Sequence, residues 1–341
     1  MMILNFSKPV DIRQIPQEED WQKEIADFLT EWYSDSETVV TQTSGSTGIP
    51  KKIERKKSAM KQSAIMTGRF LDLKTGDSAL LCMPTCYIGG KMMLVRAIVW
   101  RLKLMCIRPV SHPLENINQE IVFSAMTPMQ VENSLGKLHL VRKLIIGGAH
   151  VALPLVEKLK NIPTDIYETF AMTETVSHIA LRKISGGGEN PFRLLPDTKI
   201  RIDERGCLCI QPLFLDLEEE IITGDLVKIL SDNEFEWLGR VDNVINSGGI
   251  KIFPEKVERQ LKSMIHRDFI ISSEKDSLLG EKVILIVEGE KIPDLEEKMA
   301  EFPYQNKYEK PRKIVYVPHF ERSSNGKLLR HKIVEKISEY S

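Results

Sequence analysis

The sequence predicts an α/β protein with a large N-terminal domain of mixed sheets and helices, a β-rich layer, and a small C-terminal α+β domain. Three observations support this. The chain of 341 residues, 42% hydrophobic, is long enough for two domains with their own cores. Short apolar segments alternate with helical segments up to about residue 186, which is typical of a sheet covered by helices. Beyond that point, short strands and turns precede a module of strands and helices.

The first half opens with an amphipathic helix over residues 19–33. Its apolar residues recur at helical spacing: Trp21, Ile25, Phe28, Leu29 and Trp32. A short strand ending at Val40 follows. Buried strands are then expected at 78–83, 102–109, 121–125, 143–146 and 165–170, with helices at 58–71, 90–101, 128–136 and 152–160.

The second half has a different pattern of predicted elements. Turn-bounded short strands over residues 199–237 predict the β-rich layer. Residues 244–252 are expected to form a hairpin, and Pro254 opens a helix, since proline suits the first helical turn. Strands at 267–272, 282–288 and 312–317 and helices at 292–302 and 328–339 complete the C-terminal module. We therefore expect domains over 1–239 and 243–341, joined by residues 240–242.

Composition excludes several classes. With 47 basic and 48 acidic residues the net charge is −1, which gives no general basic field for nucleic acid. Five cysteines without CxxC spacing fit neither a disulfide scaffold nor a structural zinc site. No signal peptide is recognised, and no apolar run approaches the roughly 20 residues of a membrane helix. A cytoplasmic protein is expected.

A dense polar segment lies at residues 43–51. Glycines let backbone N–H groups point inward, hydroxyls add hydrogen bonds and a lysine adds charge, so the segment suits a polyphosphate. Its members are Thr43, Ser44, Gly45, Ser46, Thr47, Gly48 and Lys51. A flexible linker is the alternative, and Pro50 rules out a Walker A loop. The basic run at residues 51–57 is interpreted as a solvated approach to the next helix.

Five motifs occur in order along the chain: TSGSTGIPK at 43–51, FAMTE at 170–174, TGD at 223–225, GRVDN with SGGIKIFPE over 239–255, and NGK at 325–327. Together they resemble the adenylate-forming family of acyl-CoA synthetases, firefly luciferases and peptide-synthetase adenylation domains. The resemblance implies that a carboxylate attacks the α-phosphate of ATP to give an acyl-adenylate and pyrophosphate. A thiol, usually coenzyme A, then displaces AMP.

The resemblance also implies catalytic roles. Lys327 would contact the carboxylate and the phosphate, where an exposed loop lysine is the alternative. Thr173 would donate to the α-phosphate, and Glu174 would hold Mg²⁺, a hard cation suited to carboxylate and phosphate oxygens. A helix-capping threonine and a solvated glutamate are the alternatives for this pair. ATP, Mg²⁺ and coenzyme A are the implied cofactor and co-substrates.

Further nucleotide contacts follow from the same resemblance. Asp225 would accept hydrogen bonds from the ribose hydroxyls, and Arg240 would face the ribose or a phosphate. Phe170 replaces a tyrosine that resembles an adenine platform, with core packing as the alternative. Residues 147–149, which are Gly147, Gly148 and Ala149, resemble the adenine-side turn, although a plain strand-to-helix turn remains open.

The small C-terminal domain is expected to be mobile. In the family it rotates between the two half-reactions, and Asp242 matches the hinge position. One orientation would bring Lys327 to the active site, and the other would bring the loop at Gly248 and Gly249. Glycine there would let the pantetheine arm pass close to the backbone. A hairpin turn is compatible with this role.

The acid is suggested by two segments. Residues 172–178 and 247–249 resemble those of o-succinylbenzoate–CoA ligases of menaquinone biosynthesis, and the chain would be a compact form of these enzymes. Such an acid has an aromatic ring and two carboxylates, one of which stays anionic. The acid-binding residues are expected to be Tyr87, Gly89, Gly90, Lys91 and His178.

Lys91 and Arg96 are candidate partners of the spare carboxylate, although an ordinary surface charge is the favoured interpretation of each one singly. His178 is otherwise a satisfied helix histidine. Other functions left open are another aryl- or acyl-CoA ligase, a stand-alone acid-adenylating enzyme and a non-catalytic nucleotide-binding protein. The expected partners are small molecules, with no nucleic acid and no membrane span, and a homodimer stays open.

Overall fold

The computed structural model describes residues 1–42, 52–172, 174–187, 190–215, 219–262, 264–322 and 328–339. The chain divides into two compact units. The first comprises Met1–Ile200, Ile210–Ile221 and Ser231–Glu234, and the second comprises Arg201–Cys209, Ile222–Leu230 and Phe235–Ser341. In the described part of the chain, no helix combines the length and apolar character needed to cross a bilayer.

Strands and helices alternate through the first unit. They are β1 (Met2–Asn5), α1 (Asp20–Tyr33), β2 (Thr38–Gln42), β3 (Lys52–Lys56), α2 (Lys57–Phe70), β4 (Ser78–Leu81), α3 (Ile88–Trp100), β5 (Lys103–Cys106), β6 (Ile121–Met126), α4 (Pro128–Glu132), β7 (Val141–Ile146), α5 (Leu153–Leu159), β8 (Asp165–Ala171), β9 (His178–Lys183) and β10 (Phe192–Leu194).

A parallel sheet forms the centre of this unit. Strands β5, β4, β6, β7 and β8 lie side by side in that order and run parallel. Strand β1 adds to β5 in the antiparallel direction, and β9 and β10 continue beyond β8, also antiparallel. Strands β2 and β3 form a separate two-stranded ladder.

The two faces of the parallel sheet bury different hydrophobic clusters. Alternate residues of a strand point to opposite faces. Ala79 and Leu81 of β4 accordingly join the cluster that contains α1, α2 and α3, whereas Leu80 and the adjoining Cys82 join the cluster that contains α4 and α5. Helices therefore cover both faces, as parallel sheets require.

Local sequence explains where the helices begin. Glu19 and Gln22 form a capping box at the start of α1, and Thr127 and Gln130 form another at α4, where Pro128 takes the first helical position. Helix α3 is buried on all sides over residues 90–97, as its apolar sequence indicates.

Strands β11 (Thr198–Ile202), β12 (Cys207–Pro212), β13 (Ile221–Ser231) and β14 (Glu234–Arg240) lie in the order β14-β13-β12-β11. The rest of the second unit contains β15 (Ile245–Ser247), β16 (Ile250–Ile252), α6 (Pro254–Leu261), β17 (Phe269–Asp276), β18 (Gly280–Glu288), α7 (Leu295–Glu301), β19 (Lys313–Val317) and α8 (Arg330–Glu335). Its five-stranded sheet separates one cluster under α6 and α7 from another under α8.

The predicted α/β fold class is confirmed, and every predicted strand and helix over the described residues is present with shifted ends. The interpretation of residues 51–57 as a solvated approach to a helix was wrong for 52–56, which form β3 paired with β2. Its residues alternate between exposed and half-buried, but four of the five are charged, so no apolar alternation marks the strand. Strands β1, β9 and β10 were also not predicted.

Candidate active site

The carboxyl ends of the parallel strands bring several predicted site residues to one edge of the sheet. The chain leaves β4 for β5 on one side, whereas it leaves β6 for β7 on the other side. Ligands of open α/β sheets bind at such a switch point, outside the carboxyl ends of the strands. Here Gln130 spans the gap, because its Nε2 donates to the carbonyl oxygen of Cys82 at 2.9 Å and to that of Val110 at 3.0 Å.

The segment after β4 forms one wall of this edge. Tyr87 is half-buried at the N-cap of α3, and Gly89 and Gly90 form its first turn. A Cβ atom on Gly90 would lie 2.2 Å from the carbonyl oxygen of Pro84, so only glycine permits this approach. Lys91 is buried with its Nζ 4.9 Å from the ring centre of Phe28. Burial lowers the pKa of Lys91.

The turn after β7 contains Gly147, Gly148 and Ala149. Gly148 has a φ of +85°, a conformation that favours glycine. A Cβ atom on Gly147 would lie 2.9 Å from the hydroxyl of Thr169 on β8, so this turn lies tight against the neighbouring strand. The structure thus places the predicted adenine-side turn next to the end of β8.

Glu168 anchors that turn, and sequence reasoning did not single it out. Its side chain is 3% exposed, and Oε1 accepts hydrogen bonds from Nδ1 of His150 at 2.8 Å and the backbone N–H of Val151 at 3.0 Å. Oε2 pairs with Arg182 through Nε at 2.6 Å. Burial alone would raise the pKa of Glu168, but His150, Arg182 and the Val151 N–H lower it to about 2. The available signal was a charged residue in the middle of a strand that was expected to be buried.

The end of β8 presents Phe170 and Glu174. Phe170 is half-buried and packs edge-on against Phe192, with ring centres 5.7 Å apart, so part of the ring remains accessible. Glu174 is exposed on a turn. Burial lowers the pKa of Arg55, and the negative charge of Glu174 partly opposes this shift. Among the described residues, no three His, Cys, Asp or Glu side chains cluster as a metal site. A single exposed carboxylate fits Mg²⁺ that arrives with phosphate oxygens.

A buried cation lies behind this edge. Arg96 is 2% exposed, its Nη2 donates to the hydroxyl of Ser177 at 3.0 Å, and its Nε has no hydrogen-bond partner. Burial lowers the pKa of Arg96 to about 9. The described residues supply it with no carboxylate. The surface-charge alternative for Arg96 is therefore wrong.

His178 lies beside Arg96. It is 3% exposed, and its Nε2 lies 2.9 Å from the hydroxyl of Thr67. Burial, followed by the charge of Arg96, lowers the pKa of His178 well below its usual range. His178 begins strand β9, so the alternative of a helix histidine was wrong, because the chain turns directly from Thr175 into that strand.

In the second unit, Asp225 and Arg240 form an ion pair, and their roles at the nucleotide stay predictions. Oδ2 of Asp225 accepts a hydrogen bond from Nη1 of Arg240 at 3.2 Å, and Oδ1 accepts one from Nε1 of Trp237 at 2.9 Å. Asp225 lies on β13, whereas Trp237 and Arg240 lie on β14. Sequence reasoning missed Trp237, because its contact depends on the pairing of two strands.

Asp242, Gly248 and Gly249 lie further along the second unit. Asp242 is exposed in a 3₁₀ turn, with Oδ2 3.6 Å from Nη2 of Arg240. Gly248 and Gly249 connect β15 to β16 with φ values of +58° and +79°. A Cβ atom on Gly248 would lie 2.8 Å from the ring of Tyr308, whereas one on Gly249 would meet nothing within 4 Å. The predicted hairpin turn is confirmed.

Nine predicted site residues lie outside the described residues. They are Thr43, Ser44, Gly45, Ser46, Thr47, Gly48, Lys51, Thr173 and Lys327.

Comparison with known proteins decides the family. The sequence profile described as AMP-binding enzyme matches residues 2–209. The chain belongs to the AMP-binding enzyme family. The predicted relationship to adenylate-forming enzymes is thereby confirmed, and with it the class of AMP-forming acyl-CoA ligases.

Individual members of the AMP-binding enzyme family extend this likeness. An acyl-CoA synthetase (AMP-forming)/AMP-acid ligase II-like protein from Dyadobacter fermentans DSM 18053 is 33% identical, with 95% of this chain and 96% of that chain covered and a TM-score of 0.65. A 2-succinylbenzoate–CoA ligase from Bacillus cereus strain ATCC 14579 is 23% identical over 98% of this chain and 77% of its own length.

One solved structure shares the fold at lower identity. It is the O-succinylbenzoate coenzyme A synthetase from Bacillus subtilis in complex with ATP and magnesium ion. Its TM-score is 0.70 at 20% identity, with 86% of this chain and 69% of that chain covered.

Proposed function

We propose that this AMP-binding enzyme activates o-succinylbenzoate with ATP and transfers the acyl group to coenzyme A. The products are o-succinylbenzoyl-CoA, AMP and diphosphate. The observation that carries the choice of acid is Arg96, a buried cation without a carboxylate partner among the described residues. A buried unpaired charge is costly, and an arriving anion would offset that cost. The names of the relatives support the same acid.

The spare carboxylate of the acid would be held at the Arg96–Ser177–His178 group. Ser177 is half-buried and already accepts a hydrogen bond from Arg96, so its own hydroxyl proton is free to point to a ligand. His178 is neutral at physiological pH and adds no competing positive charge. Tyr87, Gly89, Gly90 and Lys91 would line the same acid site at the start of α3.

The first half-reaction brings two anions together. The reacting carboxylate attacks the α-phosphorus of ATP, the bond to the bridging oxygen breaks, and pyrophosphate leaves. Lys327 and the glycine- and hydroxyl-rich segment 43–51 would neutralise this charge, and Thr173 would donate to the α-phosphate. Mg²⁺, held by Glu174, would supply further charge neutralisation at the phosphate oxygens. Gly147, Gly148, Ala149 and Phe170 would hold the adenine.

The second half-reaction transfers the acyl group. The coenzyme A thiolate attacks the acyl carbon, a thioester bond forms, and AMP leaves with the electrons of the broken carbon–oxygen bond. We propose that residues 243–341 rotate about Asp242 between the two steps, in the manner of a hinge closure. Gly248 and Gly249 would then border the thiol's path. The cytoplasmic location and a homodimer stay predictions.

A coupled assay of AMP release tests the acid. The purified chain is incubated with ATP, Mg²⁺ and coenzyme A together with o-succinylbenzoate, 3-benzoylpropionate, benzoate or a fatty acid. 3-Benzoylpropionate is the matched control, because it keeps the aromatic ketone and one carboxylate but lacks the second. We expect kcat/KM to be at least about 100-fold higher for o-succinylbenzoate, as a lost charge-assisted contact costs about 3 kcal/mol.

Equal turnover of both acids would contradict the assignment of the substrate.

Replacing Lys327 with Ala tests whether this lysine acts only in the first half-reaction. It should abolish adenylate formation but largely spare thioester formation from supplied adenylate. Equal loss in both half-reactions would contradict the proposed rotation.

A further inference from the structure

The Asp225 carboxylate is held at both of its oxygens. The indole N–H of Trp237 donates to Oδ1 at 2.9 Å, and Nη1 of Arg240 donates to Oδ2 at 3.2 Å. The Asp225 side chain is only 12% exposed, whereas that of Arg240 is 45% exposed. The indole is a neutral donor on a half-buried residue, whereas the guanidinium belongs to an exposed one.

The number of lone pairs decides what else the carboxylate can bind. An ionised carboxylate has about four acceptor positions, two on each oxygen. Trp237 and Arg240 take one position on each oxygen, which leaves one on each for a further donor. A pair of vicinal hydroxyls presents two donors at a spacing that matches the two carboxylate oxygens. The orientation of the carboxylate determines whether both oxygens can accept from these hydroxyls at the same time.

We propose that Trp237 is a positioning residue that sets the recognition of the nucleotide's two ribose hydroxyls by orienting Asp225. This inference rests on the proposed function, in which Asp225 binds the ribose. Without the indole donor, the carboxylate would be held at Oδ2 alone and could turn about its Cβ–Cγ bond. The enzyme would then lose most of its preference for a ribose over a deoxyribose.

The backbone of Trp237 is itself fixed. Nη2 of Arg259 on α6 donates to the carbonyl oxygen of Trp237 at 3.1 Å. The backbone N–H of Asp225 donates to the hydroxyl of Thr223, which in turn donates to the carbonyl oxygen of Leu208 at 2.8 Å. Both partners of the Asp225–Trp237 hydrogen bond are therefore anchored independently, as a positioning contact requires.

The test measures nucleotide binding directly and needs no acid. AMP, 2′-deoxy-AMP and 3′-deoxy-AMP are titrated by calorimetry into the full chain and into the variant Trp237→Phe. The wild type should prefer AMP by about tenfold over each deoxy analogue. Trp237→Phe keeps an aromatic ring but lacks the donor, and its preference should fall to about twofold, mainly through weaker AMP binding. A merely structural role would weaken all three nucleotides equally and would overturn the proposal.

Trp100→Phe is the matched control. Trp100 also uses its indole N–H, here to the carbonyl oxygen of Ala64 at 2.9 Å, in the first unit. This variant should retain the wild-type preference for AMP. If Trp237→Phe fails to fold, Arg259→Met takes its place, because it leaves the indole present but releases its backbone. An unchanged preference for AMP in Arg259→Met would then overturn the proposal.

The outcome separates this inference from the choice of acid. A wild-type chain that prefers AMP over both deoxy analogues but does not activate o-succinylbenzoate would contradict the proposed acid and leave the role of Trp237 supported. A wild-type chain that binds AMP and both deoxy analogues equally would overturn the inference, whichever acid it activates.

Discussion

Two arginines of the first unit have opposite surroundings. Arg182 pairs with the buried carboxylate of Glu168 and lies 4.9 Å from the ring centre of Phe192. Arg96 is more deeply buried, yet among the residues that the structure describes a single serine hydroxyl is its hydrogen-bond partner. A paired buried charge holds structure in place, whereas an unpaired one is costly to the folded chain. The difference supports a structural role for Arg182 and the proposed role of Arg96 in holding an anionic ligand.

The neighbours of each arginine fit this division. Glu168 ties Arg182 to His150 and Val151, so one carboxylate joins β8 and β9 to the turn after β7. By contrast, the groups next to Arg96 are neutral, since Ser177 is a hydroxyl and His178 has a lowered pKa. Neutral neighbours leave the positive potential of Arg96 uncompensated until an anion arrives.

The largest effect is expected at Glu168. Replacing Glu168 with Ala leaves Arg182 without its carboxylate and removes the anchor of the turn that follows β7. Breaking one partner of a buried pair costs about 3–5 kcal/mol in the free energy of unfolding. Thermal unfolding should show a drop of roughly 10 °C in Tm. Replacing Arg96 with Met is the contrasting variant, and its Tm should stay the same or rise, so a large drop there would contradict the comparison.

The second effect is a pH dependence of stability. The pKa of Glu168 is about 2 in the folded chain, below its ordinary value of 4.5. Its stabilising effect is therefore complete above pH 4.5 and is lost as the pH falls towards 2. By pH 3 the loss is about 2 kcal/mol. Denaturant unfolding of the wild type and of Glu168→Gln, measured from pH 6 to pH 3, should show a difference that narrows by this amount, and a constant difference would contradict it.

The third effect concerns substrate choice. Arg96→Met should lower kcat/KM for o-succinylbenzoate by about 100-fold, since it removes a charge-assisted contact worth about 3 kcal/mol. For 3-benzoylpropionate the same variant should change kcat/KM by less than about threefold, and KM for ATP should stay unchanged. Arg182→Met is the matched control, as it should lower Tm without changing the ratio between the two acids. Equal losses for both acids in Arg96→Met would show that Arg96 is structural.

The candidate site residues that sequence alone could single out lie within single motifs. Gly147, Gly148 and Asp225 were identified because their motifs are local and the expected turn and strand ends follow from them. Glu168 and Trp237 were not identified, because their partners are 18 and 12 residues away and meet them only after strands pair. Strand β3 was missed for a related reason. Its residues are mostly charged, and only its pairing with β2 makes it a strand. Pairing across strands is a non-local property that no single segment specifies.

The smallest effect is expected at Thr67, which sets the tautomer of His178. The hydroxyl of Thr67 donates to the carbonyl oxygen of Ser63 at 2.9 Å, so its oxygen accepts the proton carried by Nε2 of His178. Thr67→Val keeps the shape but leaves that N–H unsatisfied, at a cost of about 1–2 kcal/mol in the free energy of unfolding.

Because the neutral ring then loses its fixed orientation beside Arg96, the preference for o-succinylbenzoate over 3-benzoylpropionate should also fall, by about threefold. Thr67→Ser keeps the hydroxyl and should retain the preference, which separates the hydrogen bond from the loss of a methyl group. A Thr67→Val variant that matched the wild type in both Tm and the ratio of kcat/KM values would contradict this role of Thr67. His178 would then serve only to pack beside Arg96, and its hydrogen bond to Thr67 would not affect the choice of acid.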